Sequence, residues 1–358
     1  MIITDVELEL RDTPAWPGFQ WRAGLPGSEP ASVLGILRIH TDEGVYGEAP
    51  VRRGAIAKDL VDRRIRGELI GADPLMREHL WHRMWELDRV EEFPIYMLGL
   101  VDVALWDLAG KAAGLPVWKL LGGAREALPA YASTVTFDSI EEYLDIADQC
   151  LEAGYPAIKL HAWGDARRDA KLIHALRDHV GDDLPLMYDG SAGFDLPDAI
   201  YVGDALSDAG YLWYEEPMRE FNVTSHRWLA DRVRVPLLVA ETSDGAHMNT
   251  ADFLVNGCAA YVRVSTPLKG GVTGAMRIAH LADAFRMRAE VHGPSVVHQH
   301  LCMAISNTTY YEALIHSNPI NINPEVDANG LIHAPQGPGF GYENAKIAEL
   351  FQGENTGR

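Results

Sequence analysis

Three acidic residues recur at almost equal spacing in the middle of this sequence of 358 residues. Each ends an apolar run of strand length, and steps of 28, 26 and 26 residues lead from His161 through Asp189 and Glu215 to Glu241. Carboxylates that are brought together repel one another unless a cation lies between them, and oxygen-only ligands favour a hard ion such as magnesium. The spacing therefore predicts a Mg2+ site built from Asp189, Glu215 and Glu241. The alternative is that each acid only caps the helix that follows it.

The elements that would position these acids follow from the segments between them. Segments of helical period, such as 166–180 and 196–209, separate the apolar runs, so one strand and one helix make up each step. Repeating β-α units of this length predict a parallel α/β sheet closed into a TIM-like barrel, whose strands converge with their carboxyl ends at one mouth. We expect its strands near residues 129–134, 157–161, 184–189, 211–215, 236–241, 260–265, 288–292 and 319–323.

The first third of the chain has a different organisation. Val6, Leu8 and Leu10 alternate with polar residues, and later apolar runs flank a turn at residues 42–44, which predicts antiparallel strands up to about residue 50. Residues 56–121 carry apolar residues at helical spacing and end at a Gly-Gly pair that stops a helix. We therefore expect an α+β domain over residues 1–123, the barrel over 124–330, and a segment 331–358 that returns to the first domain.

Composition disfavours some classes of partner. With 47% hydrophobic and 23% charged residues, the chain has the composition of an ordinary globular protein. Its formal net charge of −20 disfavours nucleic acid and anionic membranes as partners, and no apolar run reaches membrane-spanning length. The three cysteines are far apart in apolar contexts, and the start of the chain has no basic region before an apolar one. These features predict buried thiols in a cytoplasmic protein.

Two ionisable residues accompany the acids on the preceding strand. Lys159 and His161 lie two positions apart, so their side chains point to the same face. A cationic Lys159 should lower the pKa of His161 and keep its imidazole neutral, which makes it a usable base near pH 7. His292 ends the seventh predicted strand. The alternatives are that Lys159 is solvated at a strand end and that His292 is a core histidine with satisfied hydrogen bonds.

These motifs resemble those of the enolase superfamily, in its mandelate racemase/muconate lactonizing enzyme branch, which includes acid sugar dehydratases. The resemblance rests on Lys159-x-His161, Asp189, Glu215-Glu216-Pro217, Glu241, the run Lys269 to Gly274, and His292, and it extends into the first domain through Ala104 to Asp107 and Leu120 to Gly123. It implies an α+β capping domain over a (β/α)7β barrel. It also implies a magnesium ion on Asp189, Glu215 and Glu241, and removal of the proton α to a carboxylate.

The chain departs from the family pattern at two positions. The family usually has lysine at the position of His161, so the base changes but is not lost. It usually has aspartate at the position of Ser265, five residues before the Gly-Gly pair, as the partner of the seventh-strand histidine. A hydroxyl can orient the imidazole but supplies no charge, so we expect His292 to be a weaker base that can still donate a proton.

Further residues are expected around the substrate. In this family an acid near Glu312 donates a hydrogen bond to the substrate carboxylate, which requires a raised pKa, although Glu312 could equally be structural on an apolar helical stretch. Trp21, Arg22 and Arg52 lie on first-domain loops that close the mouth in the family, and arginine pairs well with carboxylates. We also place Ser265 and Lys269 among the substrate-binding residues. His298 and His300 follow the seventh strand, and we expect them to line the pocket without binding metal.

The expected function is therefore magnesium-dependent dehydration of a sugar acid to a 2-keto-3-deoxy acid, with His161 as base and His292 as proton donor. A racemase or epimerase is the alternative, with the two histidines exchanging a proton across the α-carbon. A third possibility is a barrel that binds ligands without catalysis, although an idle site has no reason to keep three mutually repelling acids. The partner is a small-molecule carboxylate, and we expect a homo-oligomer.

Overall fold

A three-stranded antiparallel sheet begins the chain, in a computed structural model that describes residues 1–12, 18–29 and 32–342. Its strands are β1 (Ile3–Asp12), β2 (Val33–Thr41) and β3 (Tyr46–Val51), paired in that order. The alternating residues Val6, Leu8 and Leu10 of β1 are buried, as the period-2 pattern predicts. None of the helices in these described ranges combines the length and apolarity that crossing a membrane requires.

Helices cover the next part of the first domain. They are α1 (Gly54–Leu60), a π-helical segment (Val61–Ile65), α2 (Arg66–Leu69), α3 (Arg77–Glu91), α4 (Ile95–Ala113) and α5 (Val117–Leu120). Helix α4 packs against β3 so closely that a Cβ on Gly47 would lie 2.0 Å from the carbonyl oxygen of Ala104. Only glycine allows this approach of strand to helix. The prediction of an antiparallel sheet followed by helices is confirmed.

The second part of the chain alternates strictly between strands and helices. The eight parallel strands are β4 (Ala127–Thr134), β5 (Ile158–His161), β6 (Leu186–Asp189), β7 (Trp213–Glu215), β8 (Leu237–Val239), β9 (Tyr261–Val264), β10 (Arg288–Val291) and β11 (Tyr311–Ile315). The helices between them are α6 (Ile140–Glu152), α7 (Ala166–Val180), α8 (Leu196–Asp208), α9 (Val223–Ala230), α10 (Ala246–Val255), α11 (Gly271–Ala284) and α12 (Val296–Ala304). The hydrogen-bonded order runs β10-β9-β8-β7-β6-β5-β4-β11, which is the expected (β/α)7β arrangement.

Local sequence explains where most of these helices begin. A side-chain oxygen accepts a hydrogen bond from a backbone N–H of the first turn in five of the seven. Such caps satisfy amide groups that have no partner inside the helix. The capping residues are Ser139, Asp165, Asp195, Asn222 and Ser295. None of Asp189, Glu215 and Glu241 is among them, so the cap-only interpretation of the three acids is not what the structure shows.

The position of the eighth strand was predicted wrongly. It lies at Tyr311–Ile315, paired in parallel with β4, and not at residues 319–323. Pro319 has no N–H for a ladder, and the side chain of Asn321 bonds the backbone of His316 and Leu314, which makes that segment a turn. The short apolar run around Glu312 was interpreted as helical because periodicity alone cannot separate a buried strand from a buried helix. Glu312 therefore lies on a barrel strand.

The chain beyond the barrel runs back along the first domain as far as it is described. Strand β12 (Leu331–His333) pairs antiparallel with β4. Further on, the carbonyl oxygen of Gly339 accepts from the amide of Val117 at 3.0 Å, and the amide of Phe340 donates to Asp107 at 2.8 Å. Residues 343–358 of the predicted returning segment lie outside the described residues. The exact domain limits stay a prediction.

Candidate active site

A cluster of three carboxylates lies at the mouth of the barrel, formed by Asp189, Glu216 and Glu241. One oxygen of each lies within 4.8 Å of the others, and all three residues are buried. Asp189 ends β6, whereas Glu216 and Glu241 lie just beyond β7 and β8. Two residues here have a positive φ that only a few per cent of non-glycine residues adopt, 38° at Glu216 and 69° at Ala240. These turns direct the two glutamates into the cluster.

The chemistry of this cluster suits a hard divalent cation. Burial raises the pKa of Glu216 and of Glu241 well above the usual range, and the neighbouring carboxylates raise both further. One oxygen of Glu241, Oε2, is buried without a hydrogen-bond partner among the described residues. Nε of Arg263 lies 3.7 Å from this oxygen, beyond hydrogen-bond distance. Three carboxylates that repel one another are stabilised by a cation such as Mg2+.

The structure departs from the sequence prediction at Glu215, which is not part of this cluster. Its Oε2 accepts from the ammonium of Lys159 at 2.8 Å, and its Oε1 accepts from Nε of Arg263 at 2.5 Å. Glu215 is the last residue of β7, and its side chain enters the barrel interior two positions beyond the buried Trp213. Its neighbour Glu216 has left the strand, and its side chain instead faces Asp189 and Glu241.

Four buried charges form a closed ring of alternating sign beneath the cluster: Lys159, Glu215, Arg263 and Glu312. In addition to its bond to Glu215, the ammonium of Lys159 lies 2.7 Å from Glu312, and Arg263 closes the ring with Nη2 3.7 Å from Glu312. Side-chain exposure in the ring is 6% or less. Sequence reasoning missed Arg263, although a lone arginine in the buried strand Tyr261–Val264 is itself a signal, because such a charge needs partners.

The ring changes the role expected of Glu312. Burial alone would raise the pKa of its carboxyl, but Lys159 and Arg263 hold that pKa well below its usual range. Glu312 is therefore ionised, and the expectation of a raised pKa, which would let it donate a hydrogen bond to the substrate, is wrong. Its Oε2 accepts from the amide of Gly293 at 2.6 Å. Lys159 is cationic as predicted, because Glu215 and Glu312 raise its pKa well above the usual value against the opposing effect of burial.

His161 lies between a backbone carbonyl and the acidic cluster. Its Nδ1 is 2.6 Å from the carbonyl oxygen of Thr134, and its Nε2 is 3.0 Å from Oδ2 of Asp189. Because a carbonyl only accepts, Nδ1 carries a hydrogen, and Nε2 is the nitrogen that faces the mouth. The indole of Trp21 covers the ring at 4.7 Å between centroids. That His161 is neutral stays a prediction.

His292 contacts a different carboxylate of the cluster. Its Nε2 lies 3.2 Å from Oε1 of Glu241, and about a third of its side chain is exposed (34%). Burial of the imidazole lowers its pKa to about 4. Ser265 lies next to it on the sheet, since the amide of His292 donates to the carbonyl of Val264. The hydroxyl of Ser265 is buried but has no hydrogen-bond partner among the described residues, so it does not orient the imidazole through a hydrogen bond here.

His298 supplies a connection that the sequence did not reveal. Its Nε2 accepts from the amide of Thr266 at 3.1 Å, so its Nδ1 carries the hydrogen and lies 3.2 Å from the carbonyl of Gly293. It thus ties the residue after Ser265 to the residue after His292. His300 accepts from the amide of Trp118 instead, so the two histidines contact backbone rather than the acidic cluster.

The loop of residues 18–29 lies on the barrel mouth, as predicted for Trp21 and Arg22. The amide of Ala23 donates to the carbonyl of Trp163 at 3.1 Å, and Nε of Arg22 donates to the carbonyl of Ser191 at 3.2 Å. These contacts join the first domain to the ends of β5 and β6. Arg52 follows β3 directly and is exposed, and its substrate contact stays a prediction.

Lys269 is not a free ammonium at the mouth. The side chain is 0% exposed, and its Nζ donates to the carbonyl and the hydroxyl of Ser243 at 2.6 and 3.0 Å. The structure thus buries Lys269 against Ser243, and its expected contact with the substrate stays a prediction.

Comparison with known families agrees with this architecture. The model described as enolase C-terminal domain-like matches residues 142–347, more than half of the chain. The model of the mandelate racemase/muconate lactonizing enzyme N-terminal domain matches residues 27–122. The chain belongs to the mandelate racemase/muconate lactonizing enzyme branch of the enolase superfamily.

Individual members of the superfamily are similar to this chain over most of its length. The 3,6-anhydro-α-L-galactonate cycloisomerase of Streptomyces coelicolor is 31% identical over 301 residues, which cover 80% of this chain and 81% of the relative. A D-mannonate dehydratase of a Sphingomonas species is 28% identical over 366 residues, with coverages of 86% and 88%. These curated relatives are enzymes that act on sugar acids.

Solved structures of the superfamily are also similar to this chain over most of its length. D-Glucarate dehydratase from Agrobacterium tumefaciens, complexed with magnesium, has a TM-score of 0.86 at 30% identity and covers 95% of this chain and 96% of its own. A racemase from Streptomyces coelicolor with bound magnesium has a TM-score of 0.84 at 27% identity, with coverages of 97% and 99%. Dehydratases and isomerases thus share this fold, and the likeness does not separate the two classes.

Proposed function

We propose that this chain removes the proton α to the carboxylate of a sugar acid and expels the hydroxyl on the β-carbon, giving a 2-keto-3-deoxy acid. The observation that carries this proposal is the buried cluster of Asp189, Glu216 and Glu241 with an imidazole nitrogen on either side. The magnesium named in the structures of the glucarate dehydratase and the racemase, and the sugar-acid substrates of the dehydratase relatives, support it.

Asp189, Glu216 and Glu241 are the residues that would hold Mg2+ in this chain. Bound there, the ion would stabilise the negative charge that the substrate carboxylate gains when its α-proton leaves. The ring beneath contains two cations and two carboxylates, and its cations also reach the cluster, with Lys159 3.4 Å from Asp189 and Arg263 3.7 Å from Glu241. Glu215 serves that ring rather than the ion.

The two histidines divide the proton transfers. Nε2 of His161, which faces the mouth, takes the α-proton, and the electron pair of the broken C–H bond forms a double bond toward the β-carbon. The β-hydroxyl leaves as water after it takes a proton from His292, which must first bind that proton even though its pKa is lowered. The resulting enol tautomerises to the 2-keto acid, so atoms and charge balance. Elimination requires one base and one donor, and the uncharged Ser265 beside His292 suits the donor role.

Racemisation or epimerisation is the second candidate. The observation that favours it is that His161 and His292 contact different members of the cluster, Asp189 and Glu241, as two bases on opposite faces of a substrate would. The likeness to the Streptomyces racemase also supports it. A homo-oligomeric assembly and a cytoplasmic location stay predictions.

One experiment separates these reactions. The purified protein is incubated with Mg2+ and a panel of monoacid and diacid sugars in deuterated water. Dehydration gives a 2-keto acid, whereas epimerisation gives a diastereomer that carries deuterium at the α-carbon. Turnover without a 2-keto product would contradict the dehydratase assignment, and no turnover together with no α-exchange for any acid would contradict the proposed chemistry.

Variants of the two histidines test their roles on an accepted substrate. His292→Asn should still exchange the α-proton for deuterium while elimination falls at least a hundredfold, because only the second proton transfer is lost. His161→Asn should do neither. The opposite pattern, exchange by the His161 variant alone, would put the base on the seventh barrel strand and contradict the assignment.

A further inference from the structure

A fourth buried carboxylate, Glu220, holds the backbone segment that carries Glu241. Glu220 is 3% exposed and lies outside the acidic cluster. Its Oε1 accepts from the amide of Ala240, and its Oε2 accepts from the amides of Thr242 and Ser243 at 2.8 and 3.1 Å. One carboxylate thus binds the backbone on both sides of Glu241 and leaves the side chain of Glu241 without a hydrogen bond at Oε2.

The segment needs such support because its backbone is strained. Ala240 has a φ of 69°, a left-handed conformation that a residue with a Cβ rarely adopts. Strand β8 ends at Val239, and the left-handed turn at Ala240 directs the next side chain, Glu241, toward the mouth. Charge-assisted hydrogen bonds to three amides are the interactions that hold this turn in the described structure.

The same segment also reaches the second glutamate of the cluster. The hydroxyl of Thr242 donates to Oε1 of Glu216 at 2.9 Å. By binding the amide of Thr242, Glu220 therefore helps to set the separation between Glu216 and Glu241. This separation determines whether their oxygens can bind one ion together.

Lys269 completes the arrangement from the opposite side. Its ammonium holds the carbonyl and hydroxyl of Ser243, whose amide is held by Glu220. The positive charge of Lys269 also lowers the pKa of Glu220, against the larger effect of burial, so the two buried charges favour each other's ionised form. This gives the buried Lys269 a role that requires no contact with the substrate.

We propose that Glu220 is a positioning residue of the metal site: it fixes the strained segment 240–243 so that Glu241 and Glu216 converge, with Lys269 as its countercharge. The inference rests on the proposed function insofar as the cluster binds Mg2+. The proposed role of Glu220 does not depend on which sugar acid is the substrate.

The test measures Mg2+ affinity by calorimetry, without substrate, in Glu220→Gln. The amide of glutamine has one accepting oxygen instead of two, so one side of the segment loses its bonds, and we expect the dissociation constant to rise at least tenfold. Glu220→Asp, which keeps both oxygens, should restore part of the affinity. Lys269→Met should weaken Mg2+ binding severalfold. If Glu220→Gln does not fold, the Mg2+ affinity of Lys269→Met is measured in its place.

The matched control is Asp107→Asn. Asp107 is also a buried carboxylate that accepts from two backbone amides, those of Glu48 and Phe340, but it lies in the first domain. This variant should lose thermal stability and keep the Mg2+ dissociation constant of the wild type. Equal loss of affinity in both variants would show general loosening and overturn the proposal.

The remaining outcomes also decide the matter. An unchanged dissociation constant in Glu220→Gln with a lowered melting temperature means a purely structural role and overturns the proposal, as does a wild-type protein that binds no Mg2+. A wild type that binds Mg2+ but turns over no sugar acid defeats the proposed function and leaves the role of Glu220 standing.

Discussion

Two adjacent glutamates, Glu215 and Glu216, have opposite roles in this site. The first is fully buried and bound by two cations, and the second faces Asp189 and Glu241. Glu215 thus balances buried positive charge, whereas the next residue, Glu216, is available to a metal ion. The difference arises because Glu215 still belongs to β7, whereas Glu216 adopts a positive φ just beyond it.

This assignment predicts opposite phenotypes for two conservative variants. Glu216→Gln should abolish Mg2+ binding measured by calorimetry, with little change in the free energy of unfolding. Glu215→Gln should retain Mg2+ binding but lose about 3–5 kcal/mol of stability in chemical denaturation, because Lys159 and Arg263 keep buried charge that is no longer compensated.

Loss of Mg2+ binding in Glu215→Gln together with retention in Glu216→Gln would reverse the assignment and restore the ligand set predicted from the sequence. Thr309→Val is the control: it removes a buried polar contact of the barrel and should leave Mg2+ binding unchanged. Its hydroxyl donates to the buried Glu290 and lies outside the ring and the cluster.

At the scale of elements, the loop of residues 18–29 contacts the ends of three barrel strands. Its backbone bonds the segments after three successive barrel strands: Gln20 accepts from Thr136 after β4, Ala23 donates to Trp163 after β5, and the hydroxyl of Ser191 after β6 lies 3.4 Å from the carbonyl of Trp21. The indole of Trp21 then covers His161. We predict that the loop forms one wall of the substrate pocket.

Trp21→Ala should therefore raise KM at least tenfold and also lower the free energy of unfolding, because the indole is only 37% exposed and packs on Phe19 and His161. Steady-state kinetics on an accepted sugar acid and chemical denaturation measure the two effects. Trp228→Ala is the matched control, since Trp228 is half exposed on α9. Equal KM values for the two variants would contradict the assignment of the loop to the substrate pocket.

At the scale of the whole molecule, helix α4 of the first domain packs on helix α11 and on the segment that precedes it. The hydroxyl of Thr273 donates to Asp102 at 2.6 Å and accepts from the indole of Trp106 at 3.0 Å. A Cβ on Gly99 would lie 2.5 Å from the carbonyl oxygen of Thr266, so the two backbones are in direct contact. The first domain thereby supports the segment between Ser265 and Lys269.

Thr273→Val should lower the free energy of unfolding by about 1–3 kcal/mol, because it leaves the carboxylate of Asp102 and the indole N–H of Trp106 with one hydrogen bond fewer in a buried interface. Thr273→Ser keeps the hydroxyl and serves as the control. Denaturation curves of the two variants provide the measurement, and equal midpoints would show that this contact does not stabilise the interface.

The sequence by itself determined the architecture and the location of the site. Apolar runs that end in acids at steps of 26 to 28 residues predict a parallel barrel, because the period of a β-α unit is set by the lengths of one strand and one crossover helix. The motifs from Lys159 to His292 predicted the family, and Asp189 and Glu241 were correctly placed at the mouth. These features are local in the chain or repeat along it, so a linear pattern can carry them.

Only the tertiary structure decided which groups meet. Whether Glu215 or Glu216 faces Asp189 depends on a backbone angle at the end of a strand, which neither residue type nor spacing encodes. The charge state of Glu312 depends on Arg263 and Lys159, which come from other strands of the barrel. The role of Glu220 depends on amides twenty and more residues away. A buried carboxylate takes its properties from the groups around it in space, and only the curled parallel sheet brings those groups together.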